Sequence, residues 1–499
     1  MLLLSPAFLA GILASLVAVY LLRCLLSPLA KVPGPRVSLF TSAVLKWNEL
    51  NANRREYIHR LHVQYGPVVR IAPNEVSFTS PEAVKEIYCS GGSGYDKTEF
   101  YDLFQVYGRR TMFTTLGKTD HAKRRRILAD RYANSNVMRP VPMSGIQDRA
   151  RSFTKLCEES LGRSLDIFVT FGFGWVMGFQ LTVAILGLHA YACDCVTHHL
   201  FHPYGTDCLK DRADAEMMHQ VASDDSLQNR LIQFYSPTAH KFIGKALYWF
   251  AKPRETPLAD EFVLNASKQT DPADFTLLKR MLEKSGLDSI DMAAECLDHM
   301  AAGIDTTGDA LCFLMWEISQ PRSFHIQKRL QQELQEKGGE PLDKLAYLEA
   351  VIWEGLRCFP AIPMSLPRYV PAGGRVLDGY TFPERTIVSA QAYSIHRLND
   401  AIFPDAEKFE PERWLAPDGD AERKRIQFAF AAGGRGCVGK HLALLEMKTL
   451  LKEVYSRYTT APDLLTTDVD MEMSDQLISS RPAGQRCLLR FERVQEASC

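Results

Sequence analysis

The sequence predicts a mainly α-helical protein with a minor β-sheet, built as one large domain behind an amino-terminal transmembrane helix. Helical apolar spacing with few breakers covers residues 117–133, 274–284, 289–320, 324–336 and 343–358. The strand-like pieces are short and lie near Gly or Pro: Val68–Ile71, Val76–Thr79, Val376–Leu377, Ile387–Ala390 and Cys487–Phe491. No Gly/Ser-rich linker or internal repeat divides the 499 residues after position 40, so a single unit is expected.

The amino terminus predicts a membrane anchor. The run from Leu2 to Leu22 carries no charge and is long enough to cross a bilayer. A cleaved signal peptide is the alternative, but it would place basic residues before the run, whereas Arg23 and Lys31 follow it. Positive charge on that flank favours a cytosolic body. We therefore expect an anchor over residues 1–26, a proline-rich hinge over 27–40 and one domain over 41–499.

Composition excludes some classes of protein. The net charge of -1 and the pI near 6.9 argue against a nucleic-acid binder, which is usually strongly basic. The twelve cysteines are scattered without the paired spacing of a disulfide framework, and most lie in apolar surroundings. Buried free thiols in a reducing compartment are the expected state.

The most informative segment of the sequence surrounds Cys437. It reads Phe-Ala-Ala-Gly-Gly-Arg-Gly-Cys-Val-Gly over residues 430–439. A metal-bound thiolate needs amide donors, nearby positive charge and a backbone that comes close to the cofactor. The glycines permit that approach, Arg435 can meet an anionic group, and the helix expected from Lys440 aims its positive dipole end at the sulfur. The alternative is a Gly-rich turn before a helix with an incidental cysteine.

This segment resembles the haem-binding signature of the cytochrome P-450 family at every fixed position: Phe430, Gly433, Arg435, Cys437 and Gly439. The resemblance implies haem b, with the Cys437 thiolate as the axial iron ligand whose electron donation favours O–O cleavage. Phe430, Gly433, Arg435 and Gly439 are then cofactor-binding residues. The resemblance extends over roughly residues 30–495 and is poor within 160–270, and it is strongest with enzymes of filamentous-fungal secondary metabolism.

Two further segments resemble structural landmarks of that family. Glu354 and Arg357 lie three residues apart on one helix face, and Arg413 follows in Pro-Glu-Arg-Trp. Alone, such a pair is usually a solvated surface contact. The resemblance implies a Glu–Arg–Arg charge network with a structural role, because a buried network of this kind specifies a fold more than it stabilises it.

The sequence Ala-Ala-Gly-Ile-Asp-Thr-Thr over residues 301–307 is unusual for a helix interior. Glycine and consecutive threonines are poor helix formers, and a threonine hydroxyl can bond back to the carbonyl four residues earlier and bend the helix. A tolerated kink in a core helix is the alternative. The segment resembles the family's oxygen-activation motif, which implies that Asp305 and Thr306 deliver protons during oxygen activation.

Basic residues elsewhere resemble the partners of the haem propionates. His121 and Arg125 lie four residues apart, and Arg368 follows the charge-pair helix at the usual interval. The family usually has Trp at the position of His121. A solvated basic face is the alternative for the cluster from Lys123 to Arg126.

The resemblance implies mono-oxygenation of a lipophilic substrate by O2, with electrons from an external NADPH–cytochrome P-450 reductase. The chain has no Rossmann-type glycine fingerprint that would indicate its own reductase domain. A basic surface could steer an acidic reductase, and its expected members are Lys123, Arg124, Arg126, Arg423, Lys424 and Arg425. A single-pass protein of the endoplasmic reticulum membrane with a cytosolic catalytic domain is expected.

A lipophilic substrate needs a largely apolar pocket. We expect it to be lined from four places: Phe100, Tyr101, Phe104 and Phe113; Met300 to Ala302; Ile362 to Ser365; and Met473 to Ile478. Aromatic residues at such positions often belong to the core instead. A polyketide, terpenoid or alkaloid intermediate is the expected substrate class.

Four alternatives remain open from the sequence. The same haem could catalyse desaturation, coupling or rearrangement, or the protein could bind haem without turnover. A zinc module could form from Cys193, Cys195, His198, His199, His202 and Cys208, although their spacing fits no familiar site. The uncharged run from Ile167 to Cys193 is long enough for a second span, but a second crossing would separate the body from a cytosolic reductase.

Overall fold

The computed structural model describes residues 6–89, 94–168, 187–222, 227–249, 255–284 and 286–494, and the backbone of 173–176 and 179–182. These residues form a mainly helical molecule with several small sheets, which confirms the predicted fold class. The helix predicted at the amino terminus is α1, Pro6–Leu26. Residues 8–26 of α1 have a mean hydropathy of 2.2, and none of them is buried against the body.

The proline-rich hinge is packed onto the body. Its residues form two short 3-10 turns, Pro28–Lys31 and Arg36–Leu39. The buried Arg70 guanidinium donates to the carbonyl oxygens of Leu29 and Val32, each at 2.8 Å. The hinge therefore has a fixed path between α1 and the domain.

The helices of the body include all five that the sequence predicts. In chain order they are α2 Ala43–Leu50, α3 Arg54–Tyr65, α4 Pro81–Val84, α5 Lys118–Leu128, α6 Asn134–Val137, α7 Pro140–Glu159, α8 Leu188–Phe201, α9 Arg212–Ala222, α10 Leu227–Tyr235, α11 Pro237–Leu247, α12 Pro257–Ala266, α13 Leu277–Lys284, α14 Ser289–Ser319, α15 Phe324–Lys337, α16 Ala346–Cys358, α17 Ala392–Ile395, α18 Asp420–Ile426 and α19 Lys440–Tyr455. The predicted 117–133 helix is shorter, because α5 ends at Leu128 and a 3-10 turn follows.

The strands are short, as expected, and all five predicted pieces are present. They are β1 Val68–Ala72, β2 Glu75–Phe78, β3 Asp96–Lys97, β4 Ser164–Asp166, β5 Phe173–Val176, β6 Phe179–Thr182, β7 Arg368–Tyr369, β8 Arg375–Leu377, β9 Tyr380–Phe382, β10 Ile387–Ala390, β11 Tyr458–Pro462, β12 Met473–Asp475, β13 Ser480–Pro482 and β14 Leu488–Arg493. The largest sheet has the order β1-β2-β10-β7-β3, and β12 and β13 form a separate hairpin.

The core is organised around α14, whose closest partner is α8. A Cβ added at Gly303 would lie 2.8 Å from the Val196 side chain, and one added at Gly308 would lie 2.8 Å from the His189 ring. Both distances are shorter than real Cβ contacts allow. The glycine of the 301–307 segment is thus required by the close approach of two helices.

The uncharged run from Ile167 to Cys193 is only partly described, since residues 169–172, 177–178 and 183–186 lie outside the described part of the chain. Its end forms the start of α8, a helix in which every residue is buried. Within the described residues, α1 is the one helix long and apolar enough to span a membrane. The expectation of a single span remains a prediction.

Candidate active site

The Cys437 loop leads directly into α19, which begins at Lys440 as the sequence predicts. The loop closes on itself, because the Cys437 amide donates to the Phe430 carbonyl at 2.9 Å and the Gly436 amide donates to that of Gly433 at 3.0 Å. Of the eleven described cysteines, only Cys89 and Cys437 are exposed. Cys437 lines a cavity of about 380 Å³, so its exposed thiol faces this cavity.

The surroundings of Cys437 shift the pKa of its thiol in opposite directions. Burial raises the pKa of the Cys437 thiol, whereas the backbone amide of Gly439 and the charges of Arg125 and Lys440 favour its thiolate. These amides and cations are what a metal-bound thiolate needs. Gly439 lies against the sulfur, since a Cβ added there would be 3.9 Å from Sγ.

Phe430 and Gly433 have different positions. Phe430 lines the cavity and meets the Trp353 ring edge-on, with centroids 6.1 Å apart. Gly433 is not among the cavity-lining residues. It has a φ of +66°, and a Cβ there would lie 2.1 Å from the Tyr88 carbonyl oxygen. Gly433 is therefore needed for the packing of the loop on the segment that ends at Cys89.

The predicted basic residues meet at one end of the cavity. His121, Arg125, Arg368 and Arg435 all line it, although they come from α5, β7 and the cysteine loop. Arg125 donates to the Gly436 carbonyl at 2.6 Å. Arg368 is buried and donates to the Tyr101 hydroxyl at 2.7 Å, whereas Arg435 lies 3.2 Å from an Asp96 carboxylate oxygen.

Lys97 joins this basic group, and the sequence analysis missed it. The antiparallel pairing of β3 with β7 places Lys97 opposite Arg368. Its ammonium is buried, donates to the Phe113 carbonyl and lies 4.6 Å from the centre of the Tyr101 ring. Burial first, and then the charges of Arg368 and Arg435, hold the pKa of Lys97 well below its usual value. The position of Lys97 depends on the two-residue strand β3. A strand this short shows no periodicity, so no pattern in the sequence indicates where Lys97 lies.

One wall of the cavity is formed by α14. Asp305 and Thr306 line the cavity, and the Thr306 hydroxyl donates to the Ala302 carbonyl at 2.6 Å. The back-bond expected from the sequence is therefore present. One oxygen of the Asp305 carboxylate has no hydrogen-bond partner within the described residues, and the other lies 3.8 Å from the Arg481 guanidinium.

The three residues of the predicted charge network are buried together. Arg357 donates to both oxygens of Glu354 at 2.8 Å, and Arg413 donates to one of them at 3.0 Å. The Trp414 indole and the Glu410 amide complete the shell of Glu354, each at 2.9 Å. The remaining Arg357 donors reach the carbonyls of residues 396, 406 and 408, so the network ties α16 to the loop before the cysteine segment.

The cavity is lined by about half of the predicted pocket residues. Those that line it are Tyr101, Phe104, Phe113, Ala301, Ala302, Ile362, Gln476, Leu477 and Ile478. Those that do not are Phe100, Met300, Pro363, Met364, Ser365, Met473, Ser474 and Asp475. Met300 is fully buried in the core, and Asp475 is held by Arg55 at 2.9 Å, so neither side chain reaches the cavity. Further lining comes from Asp298, Tyr132, Val196 and Leu227.

The zinc module that the sequence left open is not supported. In the described part of the chain, the one group of ligand-type side chains that comes together is Glu295, Asp298 and His299, so the zinc module proposed around Cys193 does not form. Instead, the buried Asp194 accepts hydrogen bonds from the Cys208 and Leu209 amides and fixes the loop after α8.

The predicted basic surface is smaller than the sequence suggested. Arg124 is paired with the buried Glu295 at 2.7 Å, and Arg423 is buried against the carbonyls of Ala416 and Asp418. Neither side chain is displayed on the surface. The exposed members are Lys123, Arg126, Lys424 and Arg425.

Comparison with known proteins agrees with the fold and the site. The profile of the family described as Cytochrome P-450 matches residues 207–488, which is more than half of the chain. The chain is 28% identical to the cytochrome P-450 monooxygenase stcB of Emericella nidulans, with 93% of this chain and 88% of the relative covered. It is 27% identical to orf2 of Aspergillus niger, with 96% and 97% covered, and 26% identical to tazI of Aspergillus terreus, also with 96% and 97% covered; both are named cytochrome P-450 monooxygenases.

The mainly helical domain, the thiol that lines its apolar cavity and the relatives named as monooxygenases together identify an oxidoreductase of the monooxygenase class. The chain belongs to the cytochrome P-450 family. Its relatives come from filamentous fungi, as predicted. Members of this family carry haem whose iron is bound by a cysteine thiolate.

The residues at the basic end of the cavity fit such a cofactor. Arg435 has a buried Nη1 without a hydrogen-bond partner in the described residues, although its other nitrogen meets Asp96. Burial and the charges of Lys97, Arg435 and Arg125 lower the pKa of His121 to about 3. An anionic partner would relieve the repulsion among these basic groups and satisfy the orphaned Arg435 donor. Carboxylates of the haem-propionate type would supply it.

Proposed function

We propose that Cys437 binds the iron of haem b and that the enzyme inserts one oxygen atom from O2 into a lipophilic organic substrate. The observation that carries this proposal is that the Cys437 thiol, the basic group and the Asp305–Thr306 pair all face one cavity. Relatives in Emericella and Aspergillus support an intermediate of fungal secondary metabolism as the substrate. The apolar and aromatic lining suits such a molecule.

Residues in different parts of the cavity have different roles in this proposal. Lys97, His121, Arg125, Arg368 and Arg435 hold the carboxylates of the cofactor at one end. The haem supplies the oxygen chemistry when bound, and the thiolate tunes it by donating charge. On α14, Asp305 and Thr306 offer a carboxylate oxygen and a hydroxyl for proton transfer. The aromatic residues exclude water from the place where the substrate lies.

Electrons come, in this proposal, from an NADPH–cytochrome P-450 reductase. The sequence contains no glycine fingerprint for a bound nicotinamide or flavin. The exposed residues Lys123, Arg126, Lys424 and Arg425 offer positive charge to an acidic partner. Because Arg124 and Arg423 are engaged inside the protein, variants of the four exposed residues are the ones that should weaken reductase binding.

We place the protein in the endoplasmic reticulum membrane, with α1 as the single span and the catalytic domain in the cytosol. The apolar helix α1 supports this placement. Aromatic residues exposed in the amino-terminal part of the domain, in α11 and just after α11 also suit a lipid surface. Trp47 is 68% exposed, Phe242 81% and Trp249 87%.

The proposed topology has an internal reporter. Asn265-Ala-Ser is the only glycosylation acceptor triplet in the chain, and Asn265 is exposed at the end of α12. We expect Asn265 to remain unmodified in a eukaryotic host, because a cytosolic domain never meets the glycosylation machinery. The measurement is electrophoretic mobility with and without endoglycosidase. A shift that the enzyme removes and that Asn265→Gln abolishes would show a lumenal body.

The proposed oxygen chemistry is tested by Thr306→Ala. The variant should still bind haem but release more peroxide per NADPH, because a hydroxyl that holds a proton at the cavity is lost. General acid–base groups contribute about 10²–10⁴-fold, so we expect at least about a tenfold loss of productive reduction. Peroxide and NADPH are measured with the reconstituted reductase.

Thr306→Ser is the matched control, because it keeps the hydroxyl that donates to Ala302. It should behave like the wild type. If Thr306→Ala and Thr306→Ser gave the same peroxide yield as the wild type, Thr306 would have no part in proton transfer.

A further inference from the structure

The β12–β13 hairpin brings a buried arginine to the acid of the oxygen-activation segment. Arg481, in the middle of β13, is 5% exposed and lines the cavity beside Asp305. Its Nη2 lies 3.8 Å from one Asp305 carboxylate oxygen, and the other Asp305 oxygen faces no donor in the described residues. The Asp305 side chain is 19% exposed, so this pair lies at the cavity wall and not on the outer surface.

The Arg481 guanidinium also donates a hydrogen bond to the end of helix α9. Arg481 Nη1 donates to the carbonyl oxygen of Ala222 at 2.8 Å, and Ala222 is the last residue of α9. The final carbonyls of a helix have no partner within the helix and carry partial negative charge, so a cation is favourable there. One side chain therefore fixes both the end of α9 and the acid on α14.

A second acid, Asp309, is also stabilised by the charge of Arg481. Asp309 follows Asp305 by one helical turn, is 1% exposed and lies 3.3 Å from the His189 ring. Carboxylates four residues apart on a helix repel each other. Burial raises the pKa of Asp309, while His189 and Arg481 favour its charged form and Asp305 opposes it. Arg481 therefore lies beside Asp305 at the cavity wall and also acts electrostatically on the buried Asp309.

We propose that Arg481 is a positioning residue that holds the Asp305 carboxylate toward the cavity, in register with the end of α9, so that Asp305 can pass protons to the reacting oxygen. This inference rests on the proposed function of Asp305. Arg481 itself transfers no proton, because a guanidinium stays protonated in proteins. Without Arg481, Asp305 loses the only guanidinium beside it among the described residues and takes other orientations.

The first experiment measures how dioxygen is reduced, and it needs no substrate. With reductase and NADPH alone, one NADPH is used per dioxygen when peroxide leaves, since two electrons and two protons are added. Two NADPH are used when two waters form, since four electrons and four protons are added. The ratio of NADPH to dioxygen therefore reports proton delivery. Haem content and the reduced carbon-monoxide spectrum normalise each variant.

Arg481→Gln should lower the rate of water formation by about tenfold and move the ratio toward that of Asp305→Asn. The loss is smaller than the about 10²–10⁴-fold that proton-transfer groups contribute, because Arg481 acts only through Asp305. Arg481→Lys keeps the charge and should recover part of the loss. The matched control is Arg55→Gln. Arg55 is buried and bonded to Asp475 and the Met473 carbonyl on the other strand of the hairpin, but it does not line the cavity. It should keep the wild-type ratio.

The second experiment is a double-mutant cycle on thermal unfolding of the haem-loaded protein, with Arg481→Gln and Asp305→Asn singly and together. Residues that interact give non-additive shifts. We expect Arg481→Gln to lower the unfolding temperature less in the Asp305→Asn background than in the wild type, because the pair is already broken there.

The outcomes separate the two proposals. A changed ratio in Asp305→Asn, with wild-type ratios in both Arg481 variants and additive unfolding shifts, would overturn the role of Arg481 and leave Asp305 in place. An unchanged ratio in Asp305→Asn would overturn the proposed function of Asp305 and the inference with it. The same loss in Arg55→Gln as in Arg481→Gln would assign the effect to the hairpin as a whole and also overturn the inference.

Discussion

Glu354→Ala is expected to yield protein that no longer folds around haem. Glu354 is fully buried, and so is Arg357, which is bonded to both of its oxygens. Removing the carboxylate takes away the anion that Arg357 and Arg413 share, and Arg413 keeps only the half-exposed Glu410 at 3.4 Å. Breaking a buried pair on one side costs about 3–5 kcal/mol. The free energy of unfolding of a whole domain is about 5–15 kcal/mol, so this loss is a large fraction of it.

The measurement is haem bound per protein, followed by urea unfolding of whatever remains soluble. Glu412→Ala is the matched control, since it removes the glutamate next to Arg413 in the Pro411–Trp414 turn. Glu412 lies 2.6 Å from Arg329, but both side chains are substantially exposed, and such pairs contribute about 0–1 kcal/mol. Equal haem content and equal unfolding midpoints for the two variants would show that the buried network does not support the fold.

The sequence predicted the elements that have strong local signals. The long helix α14 was expected at residues 289–320 and spans Ser289–Ser319, because its apolar periodicity is unbroken over many turns. The start of α19 at Lys440 followed from the glycines before it. Asp305 and Cys437 lie in fixed motifs, and the structure brings both to one cavity. Their chemical roles remain predictions.

The sequence could not predict residues that reach the site through pairing or packing. Lys97 is placed by β3, a strand of two residues whose partner is 271 positions away in β7, and no pattern in the chain encodes that register. Arg481 is placed by a hairpin of two three-residue strands. The close approach of the Tyr88 carbonyl oxygen to Gly433 could not be predicted either, and the assignment of Gly433 to the cofactor stays a prediction.

The surface was also harder to predict than the core of the site. A run of basic residues indicates a solvated face, yet Arg124 turns inward to Glu295 and Arg423 caps neighbouring carbonyls. Such choices depend on which acids and carbonyls lie beneath each side chain. Tertiary packing thus decides whether an arginine side chain turns inward or outward, and the number of charges along the sequence does not indicate it.

Cys437→Ser is the second variant with a large expected effect. The basic group would still meet the cofactor carboxylates, because Lys97, Arg368 and Arg435 do not depend on the sulfur for their positions. The serine hydroxyl donates far less charge to iron than a thiolate. Haem should therefore bind less firmly, and NADPH-dependent turnover should disappear. Cys89→Ser, at the other exposed cysteine, is the control and should match the wild type.

The absorption spectrum of the reduced protein under carbon monoxide tests the central claim most directly. Thiolate ligation shifts the carbon-monoxide band to the red, and a neutral oxygen ligand does not. The wild type and Cys89→Ser should show the red-shifted band, and Cys437→Ser should lack it. A red-shifted band that survives in Cys437→Ser would mean that another cysteine binds the iron, and it would contradict the assignment of Cys437.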